Sequence, residues 1–180
     1  MGTTERLSIS IDKDSRRKLE LLRDRSNFST SECIRHLIDL GYTLFRESEV
    51  DSETLKAWVD LLAKKEHVIL DIEYFKVIFS EVEKIEDEEF WEKIRKVATS
   101  HAIEFRVRGV TSVEEVLKLM EKTNCFEVKK MSGNTYSLIL IDFATKKFLK
   151  ITLEEIFKNL GFPVRIEEGY GKLIVVDMGE

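Results

Sequence analysis

From Arg6 to Ile11 the chain alternates strictly, with Leu7, Ile9 and Ile11 apolar and Arg6, Ser8 and Ser10 polar. A period of two sends alternate side chains to opposite faces, so this segment predicts a half-buried strand. A helix pattern follows at once. Asp12 offers an N-cap, Leu19 and Leu22 share one face at i, i+3 with Leu21 beside them, and Asn27 marks the end because asparagine tolerates left-handed backbone. The next start signal is stronger: Phe28-Ser29-Thr30-Ser31-Glu32-Cys33 supplies a serine cap, a glutamate three residues on, and apolar residues at both staple positions. Ile34, Leu37 and Ile38 form one face of the second helix, which ends around Gly41 or a turn beyond it.

One strand and two short helices in about 45 residues leave too much apolar surface wet to fold alone, so this part of the chain needs a partner. If two copies pair their 6–11 strands antiparallel, Leu7, Ile9 and Ile11 of both face the helices, and Arg6, Ser8 and Ser10 point outward on a two-stranded ribbon. A ribbon of that width fits the major groove of B-DNA. There Arg6 is able to donate to guanine N7 and O6, and the serine hydroxyls to either kind of partner. An ordinary amphipathic edge strand is the alternative reading of the alternation, and a plain capping box that of FSTSE.

The order RLSISI, charged helix, FSTSECIRHLIDLGY resembles the MetJ/Arc/CopG ribbon-helix-helix superfamily, over about a quarter of the chain. The resemblance implies a homodimer, or a dimer of dimers, that regulates transcription by binding double-stranded DNA. It implies that Arg6, Ser8 and Ser10 read bases, and that Ser29, Thr30 and Ser31 at the start of the second helix clamp a phosphate through backbone N–H groups. The chain departs from the family where proline often follows the strand and glycine precedes the second helix; here stand Asp12-Lys13 and Asn27.

Beyond the polar stretch 46–53 the apolar spacing is helical for some 50 residues, predicting three helices with breaks near His67 and Glu86. Residues 103–109 alternate like a strand yet also continue the preceding helix. Thr111 or Ser112 then caps a helix to about Lys122, and CFEVKKM and NTYSLILIDF read as strands around Ser132-Gly133-Asn134. A helix over roughly 153–160 stops at Gly161, and VRIEEG and KLIVVD form a closing hairpin. The fold class is therefore α+β: a ribbon-helix-helix unit over 1–46, then over 52–180 an effector or oligomerisation domain of several helices and an antiparallel sheet. With a strand at 103–108 that domain approaches a ferredoxin-like arrangement.

Charge is distributed in keeping with this division. The 180 residues carry a net charge of −5, yet residues 1–46 hold nine Lys and Arg against seven acids. A mildly basic head on an acidic body suits a protein that touches phosphates only with its N-terminus. A disulfide scaffold normally shows more cysteines at close spacing than Cys33 and Cys125, which lie far apart in sequence and read as reduced thiols. The polar start and the lack of a long apolar run predict a cytoplasmic protein without a membrane span. Absence of glutamine beside many Lys, Glu, Ile and Val fits a thermophile's composition.

For the second domain the sequence offers several roles without choosing among them. An antitoxin-like regulator that binds a partner protein there is the alternative to a simple operator-binding protein, and a small-molecule effector is a third possibility. His67, His101 and Cys125 lack ligand-like spacing, so no metal or other cofactor is expected. Phe75, Phe79, Phe90, Trp91 and Phe105 read as core more than as pocket, and the acidic run from Glu81 to Glu92 as solvated surface. No nucleotide loop, nucleophile elbow or metalloprotease motif occurs, so an enzyme is not expected.

Overall fold

The computed structural model describes residues 5–46, 50–65 and 67–179. Among them are seven α-helices and a four-stranded antiparallel sheet, an α+β chain that separates into a unit ending at Asp51 and one beginning at Ser52. Residues 47–49, within the boundary stretch expected over 46–53, lie outside the described residues, as do 1–4 of the polar start.

The first unit contains α1 (Lys13–Ser26) and α2 (Thr30–Phe45), packed on one another. Asp12 caps α1 by accepting from the Ser15 amide at 2.7 Å, and Asn27 ends it in the left-handed conformation at φ 57°. α2 runs through Gly41 to Phe45, the longer of the two expected ends. Gly41 does not adopt positive φ, and a glycine that stays helical costs only about 1 kcal/mol. The strand expected over 6–11 is not shown by the single chain. Residues 5–11 carry no regular secondary structure, because a strand's N–H and C=O groups need a neighbouring strand and the four strands described all lie in the second unit.

The second unit opens with α3 (Ser52–Ala63), α4 (Ile72–Val82) and α5 (Glu88–Val107). The ambiguous segment 103–108 is thus helical to Val107. As a strand it would need Ile103, Phe105 and Val107 on one face; instead Phe105 packs against the core while Ile103 and Val107 are exposed, a helical spacing that extends the buried Ala98 and Ala102. The ferredoxin-like arrangement, which required a strand there, does not form. Gly109 at φ 76° then turns the chain into α6 (Val113–Glu121), capped by Ser112.

After α6 come β1 (Phe126–Lys130), β2 (Thr135–Leu140), a 3-10 turn at Phe143–Thr145, α7 (Lys146–Leu160), β3 (Val164–Gly169) and β4 (Lys172–Asp177). The sheet order is β1-β2-β4-β3, so the hairpin formed after α7 inserts β4 beside β2 and leaves β1 and β3 at the edges. α7 starts seven residues before the expected Leu153, since Leu149 and Thr152 already belong to its buried stripe with Leu153, Ile156 and Phe157. That stripe packs on Ala98 and Ala102 of α5 and on the sheet face formed by Phe126, Tyr136, Leu138, Leu173 and Val175. Small residues on α5 let the two helices approach closely.

On the same sheet face, toward the β1 edge, Glu114 of α6 accepts from Lys118 at 2.8 Å, from Lys130 of β1 at 2.7 Å and from the Tyr136 hydroxyl at 3.2 Å. The lysine bonds, Lys118 first, hold its carboxyl down to about 2, against 4.5 for an ordinary glutamate. A carboxyl with a depressed native pKa stabilises the fold above its unfolded pKa and loses that contribution as pH falls through the native value. Thermal unfolding of Glu114→Gln should therefore depend less steeply on pH than the parent between 4.5 and about 2. Leu153→Ala, at a fully buried position, should cost about 2–5 kcal/mol. Urea unfolding followed by tryptophan fluorescence checks it, because Trp58 and Trp91 both lie in this unit.

Candidate nucleic-acid interface

The N-terminus of α2 is built by a reciprocal cap. The Glu32 amide donates to Ser29 Oγ at 3.3 Å, while the Glu32 carboxylate accepts from the Ser29 hydroxyl at 2.6 Å and the Ser29 amide at 2.9 Å. These two bonds, the hydroxyl first, draw the Glu32 carboxyl below its ordinary range. The amides and hydroxyls of Thr30 and Ser31 find no hydrogen-bond partner among the described residues and face solvent. A helix end with two free N–H donors favours an anion. The Glu32 charge opposes one, so the balance depends on the surrounding cations.

Those cations are available. Within the first unit Arg16, Lys18 and Arg23 are tied to Glu20, Asp14 and Asp24. Arg6, Lys13, Arg17 and Arg25 have no acidic partner among the described residues, and Arg35 acts on Glu32 by charge without a salt bridge. Arg6, Ser8 and Ser10 are exposed along the irregular segment before α1, and no hydrogen bond among the described residues links them to Ser29, Thr30 or Ser31. The structure thus places the two expected sets on separate pieces of the same unit.

Alternation in sequence is not matched by burial in the single chain. Leu7, Ile9 and Ile11 are 79, 59 and 45% exposed, and the polar residues between them are exposed too. Leu22, Ile38, Leu40 and Phe45 are exposed as well, and Cys33 is the one buried residue among those described in this unit. That burial was not foreseen from the sequence, although its position four residues after the cap pointed inward.

In the second unit an apolar groove of about 920 Å³ lies between Trp58 and Leu62 of α3, the segment 67–72, and the strand ends around Phe126 and Ile139. Of the five aromatic residues singled out in the sequence only Phe75 lines it. Phe79 stacks between Phe75 and Phe148, Trp91 is buried beneath the Lys147 ammonium at 4.3 Å, and Phe105 joins the core. The fold brings the His67 and His101 rings within 6.2 Å, a proximity invisible in their spacing of 34 positions. His101 in turn lies 3.5 Å from Glu104. The acidic run forms helix-surface ion pairs: Glu81 with Lys84, Glu89 with Lys93, and Glu88 and Glu92 with Arg95.

Comparison with protein-family models, with curated proteins and with solved structures yields no match to any of them. The functional reading therefore rests on the chain's own residues. Ser29→Ala removes the hydroxyl half of the cap and should destabilise α2 by about 0.5–2 kcal/mol, read as a lower helix melting temperature by circular dichroism.

Proposed function

We propose that this chain is a sequence-specific DNA-binding transcriptional regulator, a homodimer whose N-terminal segments pair as a two-stranded antiparallel ribbon and enter the major groove. One observation carries this reading: the first unit has a strand-patterned segment and two capped helices, yet only Cys33 is buried among its described residues. Apolar burial stabilises at roughly 25 cal/mol per Å², so Leu7, Ile9, Ile11, Leu22 and Ile38 left in water are a large unmet driving force. A second copy of the same unit meets it. Pairing about a two-fold axis gives the backbone of 6–11 its hydrogen-bond partners and turns the apolar face onto the helices of both copies.

The same step presents Arg6, Ser8 and Ser10 together on the outer face, doubled by symmetry. Phosphates flanking the groove are met by the free amides of Thr30 and Ser31, with Arg35, whose charge acts on Glu32, and the unpaired Arg17 and Arg25 supplying the charge that offsets Glu32. Base contacts specify and phosphate contacts position, so the two sets have separable effects.

Selection of genomic DNA fragments by the purified full-length protein at physiological salt should enrich a short palindrome. Arg6→Ala should relax the preference at one base pair per half-site, by about 1–3 kcal/mol of discrimination. Ser29→Ala should weaken binding to every sequence alike. If Arg6→Ala binds each sequence as the parent does, the ribbon does not read bases and this assignment fails.

A further inference from the structure

Between α3 and α4 the chain carries a second exposed apolar segment that lacks a partner among the described residues. Val68, Ile69 and Leu70 are 87, 85 and 46% exposed, three consecutive aliphatic residues, two of them β-branched. Residues 67–70 have no regular secondary structure, and their backbone makes no hydrogen bond to any described residue. Three large aliphatic side chains and a free backbone edge in one place are what an unpaired strand presents to water. The patch is continuous with exposed Leu62, Ile72, Ile139 and Ile141 at the rim of the groove.

We propose that residues 67–71 are a self-association edge, on which the same segment of a second copy pairs antiparallel about Ile69. The sequence around the edge is self-complementary in that direction alone. Lys64-Lys65-Glu66 before it is net basic and Asp71-Ile72-Glu73 after it is acidic. Antiparallel pairing sets the basic end of each copy against the acidic end of the other, and parallel pairing sets like against like. Asp71 retains an oxygen for this purpose: its Oδ1 accepts from the Glu73 and Tyr74 amides as the cap of α4, and Oδ2 accepts from no described residue. With Ile69 on the two-fold axis, Val68 faces Leu70 of the other copy. The contact is isologous, so taken alone it closes as a pair. A second copy is favoured over a small apolar ligand because a ligand in the groove, which Val68, Ile69 and Leu70 also line, leaves the backbone of 67–70 without hydrogen-bond partners.

Crosslinking of the full-length protein tests the edge. In a Cys125→Ser chain, which removes the thiol that is not buried, Ile69→Cys should form a disulfide-linked pair of twice the mass under mild oxidation. Tyr170→Cys, 90% exposed in the β3–β4 turn, should not. Adding Leu70→Asp to the Ile69→Cys chain should abolish the linked species, since it sets a carboxylate against Val68. Equal crosslinking at 69 and 170, or none at either, overturns the proposal. So does crosslinking at 69 that persists with Leu70→Asp, which marks a chance encounter. Stabilisation by a naphthalene sulfonate dye without any crosslink at 69 would instead identify the groove as a ligand site and overturns it too. DNA selection and crosslinking are read at different residues, so each proposal can fail alone: a linked pair without DNA enrichment upholds the edge, and enrichment without a linked pair upholds only the regulator.

Discussion

Burial of the α7 stripe organises the second unit. Leu149, Leu153, Ile156 and Phe157 belong to one core, and α7 packs both on α5 and on the sheet, so one helix joins the two layers. Its position dictates the topology. The chain leaves β2, crosses the sheet as α7, and returns at the far edge as β3 before β4 closes against β2. Ala98 and Ala102 matter because they let α5 lie close enough to share that core. α6 covers the β1 end, where Glu114 ties it to both Lys130 and Tyr136.

The first unit is governed by the same demand and cannot meet it alone. Its caps are complete, with Asp12 and Ser29 each bonded to the turn that follows, so local structure is well determined. Two helices of 14 and 16 residues nevertheless enclose almost nothing. Strong local signals beside a single buried residue among those described fit the association proposed above, since helix stability in proteins comes mainly from tertiary packing. On the proposed reading, recognition and folding draw on one event. Pairing of the 6–11 segments both completes the core and assembles the surface that would contact bases.

Much of this was legible in the residues. Caps were readable because they depend on neighbours three residues apart: Asp12 with Ser15, Ser29 with Glu32, Ser112 with Glu115. The Gly133 and Gly171 turns were readable because positive φ favours glycine. Harder were segments whose pattern suits two structures. Residues 103–107 alternate as a strand should, and only the packing of Phe105 beside Ala102 made them helical. The first two turns of α7 were hidden because Lys146, Lys147 and Lys150 interrupt a stripe whose buried members are Leu149 and Thr152. For the candidate interface, the residue types and their order were visible, whereas the free or paired state of each cation depended on geometry.

The sequence by itself determined where helices begin, where turns reverse the chain, and that the first 45 or so residues are too few to enclose a core, because these follow from interactions within a few residues or from surface-to-volume scaling. Tertiary structure alone decided the strand order β1-β2-β4-β3, the helical state of 103–107, the approach of His67 to His101, and the exposure of Val68, Ile69 and Leu70. Each of those depends on residues far apart in sequence competing for one buried face, and nothing in a local pattern records which of them wins.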